Sequence, residues 1–282
     1  MSDWTVTGSE GLPILGDTDS PRAQPVGAAL IVHGFKGYKD YGMFPVLGRA
    51  LADAGVLAHR FNLAHSGMTD QLETFERPDL FERDTWAFQA EDVAHVARAV
   101  SAGTLPGRGL PMVLIGHSRG GVTALLAAAR RREDLFELSG VVTINAPAET
   151  CSLSAEDRRR LLDDGSLESP SARTKQALRV GRAWLQTQLD DPAWHDVLDA
   201  AASIDVPMLV IQGDADRTVD PASAGRIASR ARHARRVMIP GGDHVLNTPN
   251  PAPVGGPPSP ALAGAIDAIG AFCREILAAD RR

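Results

Sequence analysis

The sequence predicts an α/β protein in which a mostly parallel, eight-stranded sheet carries helices on both faces and receives one helical insertion. Apolar runs without polar alternation, such as 27–34, 111–118 and 207–214, are typical of strands covered on both faces. Amphipathic helical patterns at 44–55 and 85–103 alternate with these runs. This alternation predicts parallel strands joined by crossover helices.

The predicted elements follow one another with little interruption. Strands are expected at 4–8, 12–17, 27–34, 56–63, 111–118, 140–147, 207–214 and 234–242, and helices at 44–55, 85–103, 120–131 and 261–279. The stretch 248–260 is rich in proline, which lacks the amide donor that helices and internal strands require. We expect an extended loop there.

Residues 149–204 interrupt the alternation. They contain three helical patterns, at 154–165, 171–189 and 192–203, and no strand pattern. The strand pattern then resumes as if uninterrupted. We therefore expect a helical insertion at 149–204 above the carboxyl edge of the sheet, set into a core formed by residues 1–148 and 205–282.

Composition narrows the classes of function. Of the 282 residues, 44% are hydrophobic and 23% charged, as in ordinary globular proteins, and the formal net charge is −6. That balance gives no general attraction to nucleic acid or anionic lipid, and no apolar run is long enough for a membrane span. The start of the chain has no secretory pattern, so we expect a cytoplasmic protein. A homodimer is left open.

The segment 116–120, Gly-His-Ser-Arg-Gly, carries the strongest chemical signal. A serine flanked by glycines two residues away, after an apolar strand and before an alanine-rich helix, is typical of a nucleophile elbow. There the serine sits in a strained turn, and the glycines remove side chains that would collide. This context favours Ser118 as a nucleophile over an ordinary loop serine.

A serine hydroxyl needs a base, the base needs an orienting acid, and the developing oxyanion needs fixed donors. Asp214 and Asp216 follow the strand at 207–214. We choose Asp216 as the acid because it lies further into the turn, and His244 after the last strand as the base. The backbone amides of Phe35 and Arg119 are the expected oxyanion donors. Along the chain the nucleophile Ser118 comes first, the acid Asp216 second and the base His244 third. This order is typical of one fold that carries such a serine motif.

The chain resembles the α/β-hydrolases over essentially its full length. Within that superfamily it is similar to bacterial carboxylesterases of the feruloyl/cinnamoyl esterase and serine-aminopeptidase-like group. The segments that carry this resemblance are HGFKGYKDYGMFP, RFNLAHSG, GHSRGG, GDADRTV and GGDH. The resemblance implies Ser118 as nucleophile, Asp216 as acid, His244 as base, and a lid formed by the insertion.

The predicted fold, triad and oxyanion donors together predict a serine hydrolase that cleaves a small-molecule carboxylic ester through an acyl-enzyme. Peptide or thioester substrates, and a non-catalytic ligand-binding module, are the alternatives. We find no metal-ligand spacing and no nucleotide-binding glycine pattern, so no cofactor is expected.

For the remaining candidate residues, a structural role is weighed against a functional one. Lys36, Tyr38, Lys39 and Tyr41 crowd the loop after His33-Gly34, where exposure to solvent is expected and a substrate-facing role is left open.

Overall fold

The computed structural model describes residues 2–130, 136–253 and 255–279. Within these ranges an eight-stranded sheet forms the centre of the molecule. Its strands are β1 (Ser2–Thr7), β2 (Pro13–Asp19), β3 (Gly27–Val32), β4 (Val56–Phe61), β5 (Met112–His117), β6 (Gly140–Ile144), β9 (Met208–Gly213) and β10 (Ala234–Ile239), while β7 (Ser166–Glu168) and β8 (Arg179–Gly181) form a separate antiparallel pair.

The sheet is mostly parallel. Its strand order is β1-β2-β4-β3-β5-β6-β9-β10, and the pairs from β4 to β10 are parallel, whereas β1 pairs antiparallel with β2 and β2 with β4. Strands β3 to β6 and β9 are buried along their whole length. This burial explains why the sequences of β3, β5, β6 and β9 are mostly apolar rather than alternating. In β4 the buried His59 and Arg60 are hydrogen-bonded to Thr18 and Asp19.

Helices cover both faces of the sheet. They are α1 (Phe44–Asp53), α2 (Pro78–Arg83), α3 (Trp86–Ala102), α4 (Arg119–Ala129), α5 (Ala155–Asp164), α6 (Arg182–Asp190), α7 (Val197–Ser203), α8 (Ala222–Arg230) and α9 (Pro260–Ala279). Side chains of α1 and α9 pack in the apolar layer on one face, and those of α3, α4, α7 and α8 in the layer on the other. The predicted helix at 120–131 ends in Arg131, which lies outside the described residues.

The segment between β6 and β9 differs from the expectation in its details. The sequence predicts no strand there, but β7 and β8 pair antiparallel over three residues each. The helix predicted at 171–189 is also wrong in its first half, because residues 171–178 form a loop and α6 begins only at Arg182, after Gly181 as N-cap. The boundaries of the insertion at 149 and 204 stay a prediction.

The parallel strands β3, β5, β6, β9 and β10 end at the same edge of the sheet. Loops that follow their carboxyl ends meet there, and the crevice at this edge is where open α/β sheets bind ligands. In the part of the chain that the structure describes, no helix is both long and apolar enough to span a membrane.

Candidate active site

Ser118 occupies the sharp turn between β5 and α4. Its backbone has φ 55° and ψ −127°, a conformation that strains any residue with a side chain. A Cβ at Gly116 would lie 2.1 Å from the Gly120 carbonyl oxygen, and a Cβ at Gly120 would lie 2.3 Å from the Val32 carbonyl oxygen. Only glycine fits at these two positions, so the spacing in the sequence follows from this close approach.

His244 and Asp216 complete a hydrogen-bonded chain that begins at this serine. The Ser118 hydroxyl lies 3.0 Å from His244 Nε2, and His244 Nδ1 lies 2.9 Å from Asp216 Oδ2. With the Nδ1 proton donated to the carboxylate, Nε2 is free to accept the serine proton. The structure therefore brings together all three residues that the sequence singled out, from loops after three different strands.

The carboxylate of Asp216 is held on both oxygens. Its Oδ1 accepts from the amides of Thr218 at 2.8 Å and Val219 at 3.0 Å, and its Oδ2 also accepts from Gln212 Nε2 at 3.2 Å. Burial alone would raise the pKa of this carboxyl. The hydrogen bonds from His244 and the two amides outweigh burial and lower the Asp216 pKa below its usual value, so the acid stays ionised.

Two residues fix the backbone of His244, and sequence reasoning missed both. His117 donates its Nε2 proton to the His244 carbonyl at 2.7 Å, and buried Asn145 donates from Nδ2 to the same carbonyl at 2.8 Å. Asn145 also accepts from the Gly213 amide at 2.8 Å. The sequence carries no signal for Asn145 beyond its place after β6, whereas His117 lies inside the serine motif.

The loop after β3, which carries Phe35, lies close to Ser118 and to the Arg119 amide. A Cβ at Gly34 would lie 3.0 Å from Ser118 Cβ and 3.5 Å from the Arg119 nitrogen, so the loop after β3 closes onto the start of α4. Among the described residues, no acceptor is hydrogen-bonded to either amide. Their use as oxyanion donors stays a prediction.

The side chains of these two residues stack on each other and on the insertion. The Arg119 guanidinium carbon lies 3.9 Å from the centre of the Phe35 ring and 4.8 Å from that of buried Trp184 in α6. Burial lowers the Arg119 pKa to about 10, and nearby Asp84 opposes this shift. The guanidinium is still protonated at neutral pH, and it forms no ion pair with any described residue.

His33 holds the loop after β3 in place. Its Nδ1 donates to the Gly34 carbonyl at 2.9 Å, and its Nε2 accepts from the Leu63 amide at 3.1 Å. Burial lowers its pKa to about 4, and burial together with the nearby His244 lowers that of His117 to about 3. Both rings are therefore neutral near pH 7.

The other aspartates of this edge stabilise turns. Asp214 Oδ1 accepts from the Gly241 amide at 2.7 Å, and Asp243 Oδ1 accepts from the amides of Val245 and Asn247. Asp220 accepts from the Ala222 amide at the start of α8. These contacts leave Asp216 as the acid that reaches the histidine.

A cavity of about 210 Å³ opens beside the serine. Ser118 and His244 line it from the sheet edge, Phe35 and Lys36 from the loop after β3, and Ser171 and Arg173 from the loop between β7 and β8. Within the described ranges, no group of three or more histidine, cysteine, aspartate or glutamate side chains is placed to hold a metal ion.

Comparison with known proteins gives the same architecture. Residues 29–255 match the model of the Alpha/beta hydrolase family. Two solved structures are similar over nearly the whole chain. Est1E from Butyrivibrio proteoclasticus with bound ferulic acid has a TM-score of 0.72 and 19% identity, covering 96% of this chain and 98% of its own. An esterase domain from a Rhodothermus marinus protein has a TM-score of 0.67 and 22% identity, covering 98% of both.

One curated relative is similar over a short stretch. A candidate non-heme chloroperoxidase of Synechocystis is 41% identical over 58 residues, which is 20% of this chain and 21% of that protein. The match therefore spans about a fifth of the relative's length. At the identities of the two solved structures the likeness establishes the fold alone, and the expected α/β-hydrolase fold is confirmed.

Proposed function

Because the chain belongs to the alpha/beta hydrolase family, we propose that it is a serine hydrolase that cleaves carboxylic esters. The observation that supports this most directly is the chain of contacts from the Ser118 hydroxyl through His244 to Asp216, at 3.0 and 2.9 Å. Ionised Asp216 fixes the tautomer in which His244 Nε2 can accept a proton. A cavity opens on the serine, so an acyl group can reach it.

The first half of the reaction follows from this geometry. Ser118 Oγ attacks the ester carbonyl carbon while its proton passes to His244 Nε2. The carbonyl oxygen becomes an oxyanion, which accepts hydrogen bonds from the amides of Phe35 and Arg119. When the intermediate collapses, the alcohol leaves with the proton held on Nε2, and the acyl group stays on Ser118.

Water completes the cycle. His244 Nε2 takes a proton from the water as its oxygen attacks the acyl carbon, and then returns that proton to Ser118 Oγ. The products are one carboxylic acid and one alcohol from one ester and one water. The fixed backbone of His244 lets the same nitrogen serve as base and then as acid in both halves.

The test is hydrolysis of short and medium 4-nitrophenyl esters by the wild type and by Ser118→Ala. We expect turnover in the wild type and its loss in the variant, with circular dichroism showing that the variant is folded. Labelling by a fluorophosphonate should follow the same pattern, because it needs an activated serine.

The same assay separates the alternatives. Faster turnover of a thioester or a peptide than of the matched ester would move the proposal to that substrate class, since the acyl-enzyme chemistry is shared. A folded wild type that neither turns over esters nor labels with the fluorophosphonate would contradict the proposal and favour a ligand-binding module.

A further inference from the structure

The cavity beside Ser118 is lined by two positive charges and by no negative one. Lys36, in the loop after β3, and Arg173, in the loop between β7 and β8, both line it. Among the residues that the structure describes, no aspartate or glutamate lines this cavity. Lys36 and Arg173 are here called the cationic side of the cavity. A local excess of positive charge in a chain with net charge −6 needs an explanation.

Two other cations removed from solvent, Arg60 and Lys39, are paired with carboxylates. Arg60 bonds to Asp19 at 2.9 Å and to Asp40, and Lys39 bonds to Asp17 at 2.5 Å and to Asp40 at 2.6 Å. Because removing a charge from water is costly, such pairing is the ordinary arrangement for half-buried or buried cations. The cationic side departs from it.

Neither residue of the cationic side has an acidic partner within the described ranges. Lys36 Nζ donates to the Pro170 carbonyl at 2.8 Å. Arg173 donates to the Leu72 carbonyl and to Met68 Sδ, and its guanidinium carbon lies 4.7 Å from the centre of the Tyr38 ring. Carbonyls and an aromatic ring hold both side chains in place without neutralising their charge.

The backbone at Lys36 is also unusual. Its φ is 58°, in the left-handed region that glycine adopts freely and lysine does not. Strained residues concentrate at ligand-binding positions, where the surrounding structure holds them. In this conformation Lys36 lines the cavity, next to Phe35 and its proposed oxyanion amide.

Arg119 adds a third positive charge nearby. Its guanidinium is stacked on Phe35, the residue next to Lys36, and it also makes no ion pair with a described residue. Burial, and to a smaller extent the charge of Arg119, lower the pKa of Lys36. A ligand that brings a negative charge into the cavity relieves this repulsion, since opposite charges attract strongly at low local dielectric.

We propose that the cationic side, Lys36 and Arg173, binds a carboxylate on the substrate, so that the preferred ester carries a negative charge in addition to its scissile bond. This inference rests on the proposed function, because it names the substrate class of the same site. Arg and Lys are suited to it, since both bind carboxylates by charge-assisted hydrogen bonds.

The test uses two pairs of esters that differ by one charge. The first pair is 4-nitrophenyl hydrogen adipate and its terminal amide, with the charge in the acid part. The second pair is 4-acetoxybenzoate and 4-acetoxybenzamide, with the charge in the alcohol part. In at least one pair we expect kcat/KM to be about tenfold or more higher for the charged ester, and this preference to weaken as salt is raised.

Variants locate the source of the preference. Lys36→Met and Arg173→Met should each reduce the ratio of charged to neutral ester, and the double variant should bring it close to one. Lys175→Met is the matched control, because Lys175 lies two residues from Arg173, is exposed and does not line the cavity. Arg173→Lys keeps the charge and should keep part of the preference if Arg173→Met proves unstable.

The outcomes separate this inference from the proposed function. Neutral esters that are turned over as well as the charged ones overturn the carboxylate site and leave the serine hydrolase standing. A preference that survives in the double variant overturns it as well, as does a protein that labels with fluorophosphonate but hydrolyses neither charged ester. Failure of both labelling and neutral-ester turnover contradicts the serine hydrolase itself.

Discussion

The two sides of the cavity around Ser118 are held in place by different parts of the chain. On the sheet edge, a strained turn fixes Ser118, two backbone amides fix Asp216, and the His244 carbonyl accepts from His117 and Asn145. On the cationic side, Lys36 and Arg173 are held mainly through side-chain contacts to carbonyls and rings.

The difference separates the proposed chemistry from the proposed selectivity. Ser118 and Asp216 follow strands that are buried along their length, and His244 follows the edge strand β10, so their positions are a consequence of the fold. The cationic side depends on two loops, the one after β3 that carries Lys36 and the one between β7 and β8 that carries Arg173. We therefore expect substitutions at the sheet edge to change kcat for every ester, and substitutions on the cationic side to change which ester is preferred.

The largest effect is expected for Asp216→Asn. An amide cannot hold the Nδ1 proton as the carboxylate does, so His244 loses the tautomer that accepts from Ser118. We expect kcat to fall about 10³- to 10⁴-fold for charged and neutral esters alike. Steady-state assays on both members of an ester pair measure this loss.

Asp214→Asn is the matched control, because Asp214 lies in the same turn but bonds only to the Gly241 amide. It should retain activity within a few-fold of the wild type. A loss in Asp214→Asn as large as that in Asp216→Asn would mean that the assignment of the acid is wrong.

A smaller effect is expected for His117→Phe. The change keeps an aromatic ring against Phe44 and His244 but removes the hydrogen bond to the His244 carbonyl. One such bond contributes about 1 kcal/mol, so we expect kcat and the rate of fluorophosphonate labelling to fall about fivefold to tenfold.

The same change at His195 tests whether the effect belongs to the sheet edge. His195 is also buried and bonds to a backbone carbonyl, that of Asp191 at 2.7 Å, but it lies in the insertion. His195→Phe should lower the melting temperature without slowing the labelling of folded protein. Equal slowing in both variants would argue that His117 acts only through general stability.

The difference between the sheet edge and the cationic side also explains which residues could be predicted from the sequence. Ser118 and its flanking glycines are a pattern of five residues, and Asp216 and His244 each follow a predicted strand near the end of the alternating series, so local sequence is enough to find them. Asn145 could not be found, because its partner at His244 lies 99 residues away. Strands β7 and β8 were missed because three residues are too few to show a period.

The cationic side could not be predicted from the sequence either. The loop after His33-Gly34 was expected to be solvent-exposed, yet Tyr38 is buried and Lys36 is half-buried against the carbonyl of Pro170. That contact joins residues 134 positions apart. Charge alone does not reveal whether a lysine has an acidic partner, which is what distinguishes Lys36 from Lys39.

Gln176→Ala tests how the cationic side is held. The Gln176 side chain accepts from the Phe75 amide at 2.7 Å and donates to the Phe75 carbonyl at 2.9 Å, which fixes the loop that carries Arg173. Without these bonds we expect KM for the charged ester to rise about threefold, while fluorophosphonate labelling keeps its rate. Gln186→Ala is the control, since Gln186 bonds to Asp190 within α6.

A rise in KM for both the charged and the neutral ester would show that Gln176 shapes the whole cavity rather than the charge contact. A loss of labelling would be more serious, because it would mean that the loop between β7 and β8 also positions the sheet edge. Either result would contradict the division of the cavity into two independent sides.

A change of pH is expected to have the smallest effect of all, and the quantity it would change is the ratio of kcat/KM for the charged and neutral esters. Burial lowers the pKa of His33 to about 4, and burial with the charge of His244 lowers that of His117 to about 3, so neither ring gains a proton between about pH 5.5 and 7. The substrate carboxylate stays ionised in this range. Any change in the shared acyl-transfer step affects both esters alike and cancels in their ratio. The ratio of kcat/KM for the charged and neutral esters should therefore be constant, and a ratio that rises as the pH falls would place a titrating sheet-edge histidine beside the bound carboxylate.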